Sequence, residues 1–179
     1  MKKFFLFIAG SALVAAPVIA LAQSAYPAPQ VGPTTGMYRL YNPVTMNHLY
    51  TIDYSEAFDL RDSGTYIYEG VAATVFTTQV AGSVPLWRLY NNKLNKHAFV
   101  AGTSGLTALK RAGYRQEGVI GYILNNPQAY SPNANQAPRL YWLQNSKTRD
   151  WLLTESSEEA GAAKPAGYKE SDSWYWVPN

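Results

Sequence analysis

The chain contains three copies of one sequence pattern. Residues 38–42 (YRLYN) return as residues 87–91 (WRLYN) and, more loosely, as residues 141–145 (YWLQN), at offsets of 49 and then 54 positions. The same offsets align apolar helix positions and glycines further along each copy. A unit of about 45 residues cannot bury its apolar face alone, so the three copies are expected to share one core.

Each copy predicts two strands, a short helix and one or two further strands. The first strand is aromatic and aliphatic and ends in an asparagine, whose side chain favours a turn by bonding its own backbone. These asparagines are Asn42, Asn91 and Asn145. Asp53 is suited to cap the first helix, and Thr103 or Ser104 the second. A glycine stands where each helix would end in the left-handed conformation. These glycines are Gly64, Gly113 and Gly167.

The pattern predicts a mainly β fold with short helices (α+β), made of three ββαβ-type repeats. The units span residues 37–84, 85–137 and 138–179. Closure about a pseudo-threefold axis hides strand edges that would otherwise pair with other chains, so we expect a β-trefoil-like closed domain. An open row of units is the alternative.

The first residues predict export. Residues 1–22 combine a basic start, an apolar run and a small-residue ending, the layout of a cleaved signal peptide. Residues 23–36 form a proline-rich linker, and residues 37–179 form a single domain. We therefore expect a periplasmic or extracellular protein of a bacterium, with no membrane span after cleavage.

Charge and composition limit the kinds of partner and of chemistry that can be expected. Removing Lys2 and Lys3 takes the formal net charge from +3 to +1, and the remaining basic residues are scattered, which argues against nucleic acid. The chain has no cysteine, which excludes thiol nucleophiles and cysteine metal sites. We expect a monomer without a cofactor.

His48 and His97 are the only histidines and occupy matching positions in two copies. Each side chain could fix its hairpin by bonding a carbonyl or the turn, or it could contact a ligand. Two histidines without a clear third ligand make a poor zinc site, so no metal is expected.

Glu69 and Glu117 are carboxylates at matching positions of the first two copies. A glycosidase needs two carboxylates roughly 5 to 10 Å apart at one scissile bond. Each glutamate lies in an otherwise apolar strand, where a bond to a backbone amide, or to Arg39 and Arg88 of the opening strands, is the simpler prediction.

Aromatic residues are abundant, with 14 Tyr, 5 Trp and 6 Phe. Many are expected in the core, but exposed rings could stack on the apolar face of a sugar while neighbouring polar groups bond its hydroxyls. Trp151, at the histidine position of the third copy, and Tyr50 and Phe99 beside it are the candidates for this role.

The three motifs resemble a known family. The sequences YRLYN, HLYT (residues 48–51) and YEGV (residues 68–71) are similar to a secreted tandem-repeat family of unknown function whose units read roughly YRLYN, HFYT and YEGV. The resemblance is strongest in the first copy, fair in the second, and limited to the framework in the third. Members are often appended to bacterial cell-wall hydrolases, so the resemblance implies an extracytoplasmic accessory module.

These observations favour an exported, non-catalytic binding module, most simply for a cell-wall or surface glycan. The candidate ligand-binding residues are His48, His97, Trp151, Tyr50, Phe99, Glu69 and Glu117. An envelope protein-interaction or structural module is the alternative. A glycan-processing enzyme is a third hypothesis, disfavoured because too few polar groups recur to supply an acid and a base.

Overall fold

The computed structural model describes residues 32–130, 137–171 and 175–178. The predicted signal peptide and residues 23–31 of the predicted linker lie outside these residues. Strand β1 begins at Thr34 and pairs with β3 from there, so the last three residues assigned to the linker belong to the first strand. The folded domain thus starts before residue 37, because the backbone groups of these residues join the sheet.

The elements follow in the predicted order. The first copy contains β1 (Thr34–Asn42), β2 (Asn47–Thr51), α1 (Tyr54–Asp62) and β3 (Ile67–Phe76). The second copy contains β4 (Ser83–Asn91), β5 (Lys96–Ala101), α2 (Leu106–Arg111), β6 (Arg115–Leu124) and α3 (Pro127–Tyr130). The third contains β7 (Arg139–Asn145), β8 (Asp150–Thr154), α4 (Ser157–Ala163), a 3-10 turn (Lys164–Ala166), β9 (Tyr168–Glu170) and β10 (Tyr175–Trp176).

All strand pairs are antiparallel. The opening strand of each copy lies between two partners: β1 pairs with β2 and β3, β4 with β5 and β6, and β7 with β8 and β9. Single bridges join β3 to β6, and β10 joins β6 to β7. The mainly β class is confirmed, and the described strands form an open antiparallel sheet. Closure as a trefoil-like domain stays a prediction.

The centre of the core is formed by the second strands of the hairpins. Tyr50, Phe99 and Leu153 occupy matching hairpin positions, opposite Arg39, Arg88 and Trp142 respectively. All three side chains are buried in one cluster, and the rings of Tyr50 and Phe99 meet edge to face at 5.0 Å. The Tyr50 hydroxyl accepts a hydrogen bond from the Leu153 N–H at 2.8 Å, which satisfies this buried polar group.

The predicted asparagine turns are confirmed. Asn42 Oδ1 accepts hydrogen bonds from the N–H groups of residues 44 and 45, and Asn91 and Asn145 bond the corresponding amides of their own turns. Each turn ends four residues after its asparagine in a residue with positive φ. These residues are Met46, Asn95 and Arg149. The asparagine therefore fixes the same tight turn in all three hairpins.

The helix ends match the sequence in part. Asp53 caps α1 by accepting hydrogen bonds from the backbone N–H groups of residues 55 and 56, as predicted. The prediction that Thr103 or Ser104 caps α2 is wrong, because Gly105 holds the cap position and makes no side-chain bond. The predicted left-handed glycines are confirmed, with φ angles of 73°, 87° and 94° for Gly64, Gly113 and Gly167.

Two glycines predict opposite effects on stability. Gly161 lies inside α4, where a Cβ would meet nothing within 4 Å, so Gly161→Ala should raise the free energy of unfolding by about 0.5–1 kcal/mol. Gly113 has a φ of 87°, so Gly113→Ala should lower it by about 1–2 kcal/mol. Urea unfolding followed by tryptophan fluorescence measures both changes in the free energy of unfolding. Changes in the same direction for the two variants would contradict the assigned backbone conformations.

Candidate functional site

Both histidines lie at the start of a second hairpin strand and are buried. The Nε2 atom of His48 is 3.2 Å from Glu69 Oε2, and that of His97 is 3.4 Å from Glu117 Oε2. The next strand thus supplies a carboxylate to each imidazole. Of the two predicted kinds of partner for these glutamates, a backbone amide or an arginine, the arginines are found: Glu69 bonds Arg39 and Glu117 bonds Arg88.

His48 has a second carboxylate partner that sequence reasoning missed. Its Nδ1 atom is 2.6 Å from Asp150 Oδ2, although Asp150 is 102 residues away and fully buried. Asp150 Oδ1 also accepts hydrogen bonds from the backbone N–H of His48 and from Asn47 Nδ2, and the Tyr168 hydroxyl donates to Oδ2. Four donors therefore surround one buried carboxylate, which compensates for its lost hydration.

The electrostatics of this cluster favour a charged imidazolium. Burial acts against the charged form of His48, but hydrogen bonds to Asp150 and Glu69 outweigh it, and the pKa of His48 is raised. Burial likewise opposes ionisation of Asp150 and Glu69, yet the contacts with His48 hold the pKa of each carboxyl below its usual value. Both ring nitrogens of His48 face carboxylates, which leaves neither free to accept a proton from a substrate.

This cluster makes stability depend on pH. A raised folded-state pKa means that the contribution of His48 is present below its unfolded pKa of about 6.5 and is lost as pH rises through the folded value. The lowered carboxyl pKa values give a contribution that is present above about pH 4 and is lost as pH falls through the folded values. We therefore expect the free energy of unfolding to decline as pH rises above about 6.5 and passes through the folded-state pKa of His48.

Urea titrations at a series of pH values measure this decline. The variant His48→Gln should lose most of this decline in the free energy of unfolding. The variant His97→Gln, at the matching position without the Asp150 contact, should keep the decline. An identical decline in both variants would show that His48 is not its source.

Two arginines link neighbouring copies. Arg39 in β1 donates two hydrogen bonds, at 3.0 and 2.7 Å, to the carboxylate of Glu159 in α4. Arg88 in β4 donates in the same way to Glu56 in α1, at 2.9 and 2.8 Å. Their Nε atoms lie 2.8 Å from Glu69 and Glu117, so each guanidinium bridges two glutamates. Such paired, fork-like contacts fix geometry strongly.

The contact between the second and third copies is built differently. In the third copy, Trp142 stands at the hairpin position that Arg39 and Arg88 occupy in the first two. In the second copy, Gly105 stands at the position that corresponds to Glu56 and Glu159. In place of an ion pair, this junction contains a cleft of about 230 Å³. The rings of Trp142, Trp151 and Tyr175 line it, together with Ser104.

The predicted ligand-binding residues separate into three groups. Tyr50 and Phe99 are core side chains, and the expected exposure of their rings is not found; of the two, only Phe99 lines the cleft. The two histidines and two glutamates form the ion-paired clusters described above. Trp151 lines the cleft, with its ring perpendicular to that of Trp142 at a centroid distance of 6.2 Å. Its indole N–H has no hydrogen-bond partner among the described residues.

The structure adds residues that the sequence pattern did not single out. Asp150 was hidden because its counterparts in the other copies are Asn47 and Lys96, so no repeated carboxylate marked the position. Trp142 and Gly105 could have been found as departures from the arginine and glutamate of the other copies. The described residues contain no group of three or more side chains suited to hold a metal ion.

No helix in the described part of the chain is long and apolar enough to cross a membrane.

Comparison with known proteins identifies a family. No curated protein and no solved structure matches the chain. A family model described as a domain of unknown function (DUF5648) matches residues 20–124, which end at the last residue of β6. Because the match covers more than half of the chain, this protein belongs to the DUF5648 family.

Proposed function

We propose that this protein is an exported, non-catalytic module that binds a glycan of the cell wall or cell surface. The observation that carries the proposal is the aromatic cleft between the second and third copies, where the ion pair of the other junctions is replaced by Trp142 and Gly105. Aromatic rings beside polar groups suit a sugar, whose apolar face stacks while its hydroxyls form hydrogen bonds.

A trefoil-like closure of the three copies is part of the proposal. Asp150 of the third copy accepts from the His48 N–H of the first, and Asn47 of the first accepts from the His97 N–H of the second at 2.6 Å. Lys96 of the second copy bonds carbonyls in the first hairpin turn. Contacts that pass in one direction between matching positions are what a closed arrangement would use, and closure would hold the cleft rigid.

The absence of catalysis is supported by the state of the ionisable groups. Glu69 and Glu117 are each bonded to an arginine and to a histidine, and both ring nitrogens of His48 face carboxylates. A general acid or base needs a proton site open to substrate. Neither glutamate belongs to the cleft lining.

Co-sedimentation tests the proposal. The purified protein, produced from the full chain, is mixed with peptidoglycan, chitin, cellulose and xylan, and the bound fraction is measured against protein concentration. We expect saturable binding to at least one polymer and at least a tenfold loss in Trp151→Ala. Trp87→Ala is the matched control, since Trp87 lies outside the cleft. Equal binding by both variants, or no binding to any polymer, would refute the proposal.

A protein-interaction module is the second candidate, favoured by the distribution of exposed apolar side chains. The large apolar residues that are most exposed among the described residues all lie in the first copy. They are Val44, Met46, Tyr54, Ile67 and Val71. Tyr54 stacks on Phe58 at 4.0 Å and leaves an aromatic surface beside α1. Pull-down from envelope extract with wild type and Tyr54→Ser tests this role: a specific protein lost with the variant would support it.

A further inference from the structure

The cleft continues into a second concavity. A recess of about 450 Å³ adjoins it and shares three lining residues with it: Ala101, Ser104 and Tyr175. We take the two concavities together as one groove, in which the shared residues Tyr175 and Ser104 lie where the two parts meet. Ligand pockets in proteins span roughly 300–1,000 Å³, so the groove is large enough for more than one sugar ring.

The groove differs from the other concavities in its charge. None of the described residues that line either part is charged; the polar groups are neutral, among them Thr103, Ser104 and Asn125. By contrast, the concavity beside the Arg39–Glu159 pair is lined by charged side chains. Another, of about 440 Å³, is lined by the basic residues Lys93, Arg111 and Arg115.

A groove whose described lining carries no charge selects against a charged ligand. Moving a carboxylate or phosphate out of water costs free energy unless a counter-charge or several hydrogen bonds replace its hydration. Moving neutral hydroxyl and acetamido groups out of water costs less free energy, because side chains such as Asn125 and Ser104 can form hydrogen bonds with them. The aromatic ring of Tyr175 offers an apolar surface at the point where the two parts meet.

We propose that the groove binds an uncharged polysaccharide chain that lies across Tyr175 and Ser104, with sugar rings in both parts. This inference rests on the proposed glycan-binding function and names the chemical class of its ligand. It also separates the groove from the basic concavity, which an acidic polymer would prefer. The affinity should rise with oligosaccharide length until both parts are filled.

Titration calorimetry with defined hexasaccharides tests the inference. The neutral probes are hexamers of N-acetylglucosamine, glucose and xylose; the acidic probes are hexamers of galacturonate and mannuronate. We expect at least one neutral hexamer to bind at least tenfold more tightly than either acidic one and than its own disaccharide. Its affinity should change less than twofold between 50 and 500 mM salt, because no ion pair is involved.

A matched pair of substitutions tests the position. Ser104 is exposed at the middle of the groove. Ser104→Lys adds a cation there, whereas Ser104→Gln adds similar bulk without charge. Both should weaken the neutral hexamer at least threefold, and only Ser104→Lys should improve binding of the acidic hexamers.

Each result is decisive for one of the two proposals. Tighter binding of acidic hexamers, unaffected by the Ser104 variants, would overturn the inference and leave glycan binding standing. Binding of every neutral hexamer no tighter than its disaccharide would overturn the extended groove. If no hexamer bound in the calorimetric titrations and no polymer bound the protein in co-sedimentation, the proposed function itself would be overturned.

Discussion

Replacing Asp150 by alanine is expected to lower the free energy of unfolding by about 3–5 kcal/mol. The buried carboxylate accepts from Asn47, from both the backbone and the ring of His48, and from Tyr168. Its removal leaves these donors unsatisfied and leaves His48 without one of its two counter-charges. Urea unfolding at pH 6 measures the loss where the imidazolium contribution is present.

Two further variants interpret that result. Asp150→Asn keeps the shape and one acceptor, so its loss should be smaller than that of Asp150→Ala. Asp62→Ala removes an exposed carboxylate that bonds only the neighbouring Arg61 among the described contacts, and it should leave the free energy of unfolding nearly unchanged. A loss below about 1 kcal/mol in Asp150→Ala would contradict the assigned role of the cluster.

The second large effect is expected at Arg88. Arg88→Met keeps most of the apolar stem but leaves the carboxylates of Glu56 and Glu117 without their shared partner. The Tyr50 carbonyl also loses a donor at 3.2 Å. Removing one partner from a largely buried ion pair costs about 3–5 kcal/mol, and the partial exposure of both glutamates places the expected loss near about 2–3 kcal/mol.

The variant Glu56→Gln separates charge from shape at this junction. It keeps a hydrogen-bond acceptor for Arg88, so a smaller loss than that of Arg88→Met is expected. Arg61→Met, at an exposed arginine over the ring of Phe58, is the control and should lower the free energy of unfolding much less than Arg88→Met. Equal losses for Arg88→Met and Arg61→Met would mean that the cross-copy ion pair adds nothing to the fold.

Local features of the fold could be predicted from the sequence. The asparagine that ends each opening strand and the glycine that ends each helix act through their own backbone, so their residue types and spacing suffice to identify them. The bonds between Arg39 and Glu69, and between Arg88 and Glu117, could be predicted because both partners of each bond lie within one copy and the pair occurs at matching positions in two copies. Repetition made each of these signals visible more than once.

Contacts between copies could not be predicted in this way. Asp150 meets His48 across 102 positions of the chain, and Glu159 meets Arg39 across 120. These pairs depend on how the hairpins are placed relative to one another, which no local pattern specifies. The cleft depends on an absence, since Gly105 and Trp142 replace the two charged partners found at the other junctions.

The burial of Tyr50 and Phe99 illustrates a second limit. An aromatic ring in a strand fits a core and a sugar-binding surface equally well by composition. Only the packing of the three second strands decides that Tyr50 and Phe99 face each other inside the domain. Trp151 occupies the histidine position of its own copy, yet at the cleft it meets Trp142, which stands at the arginine position of the other copies.

The most direct test of glycan binding at the cleft is a nuclear magnetic resonance titration of the indole N–H signals. Protein labelled with nitrogen-15 is titrated with the hexasaccharide that binds most tightly, and each signal is assigned by single substitution. If a glycan binds at the cleft, the Trp142 and Trp151 signals shift saturably and the Trp87 signal does not. Shifts at Trp87 with none at Trp142 and Trp151, or no shift at any indole, would contradict binding at the cleft.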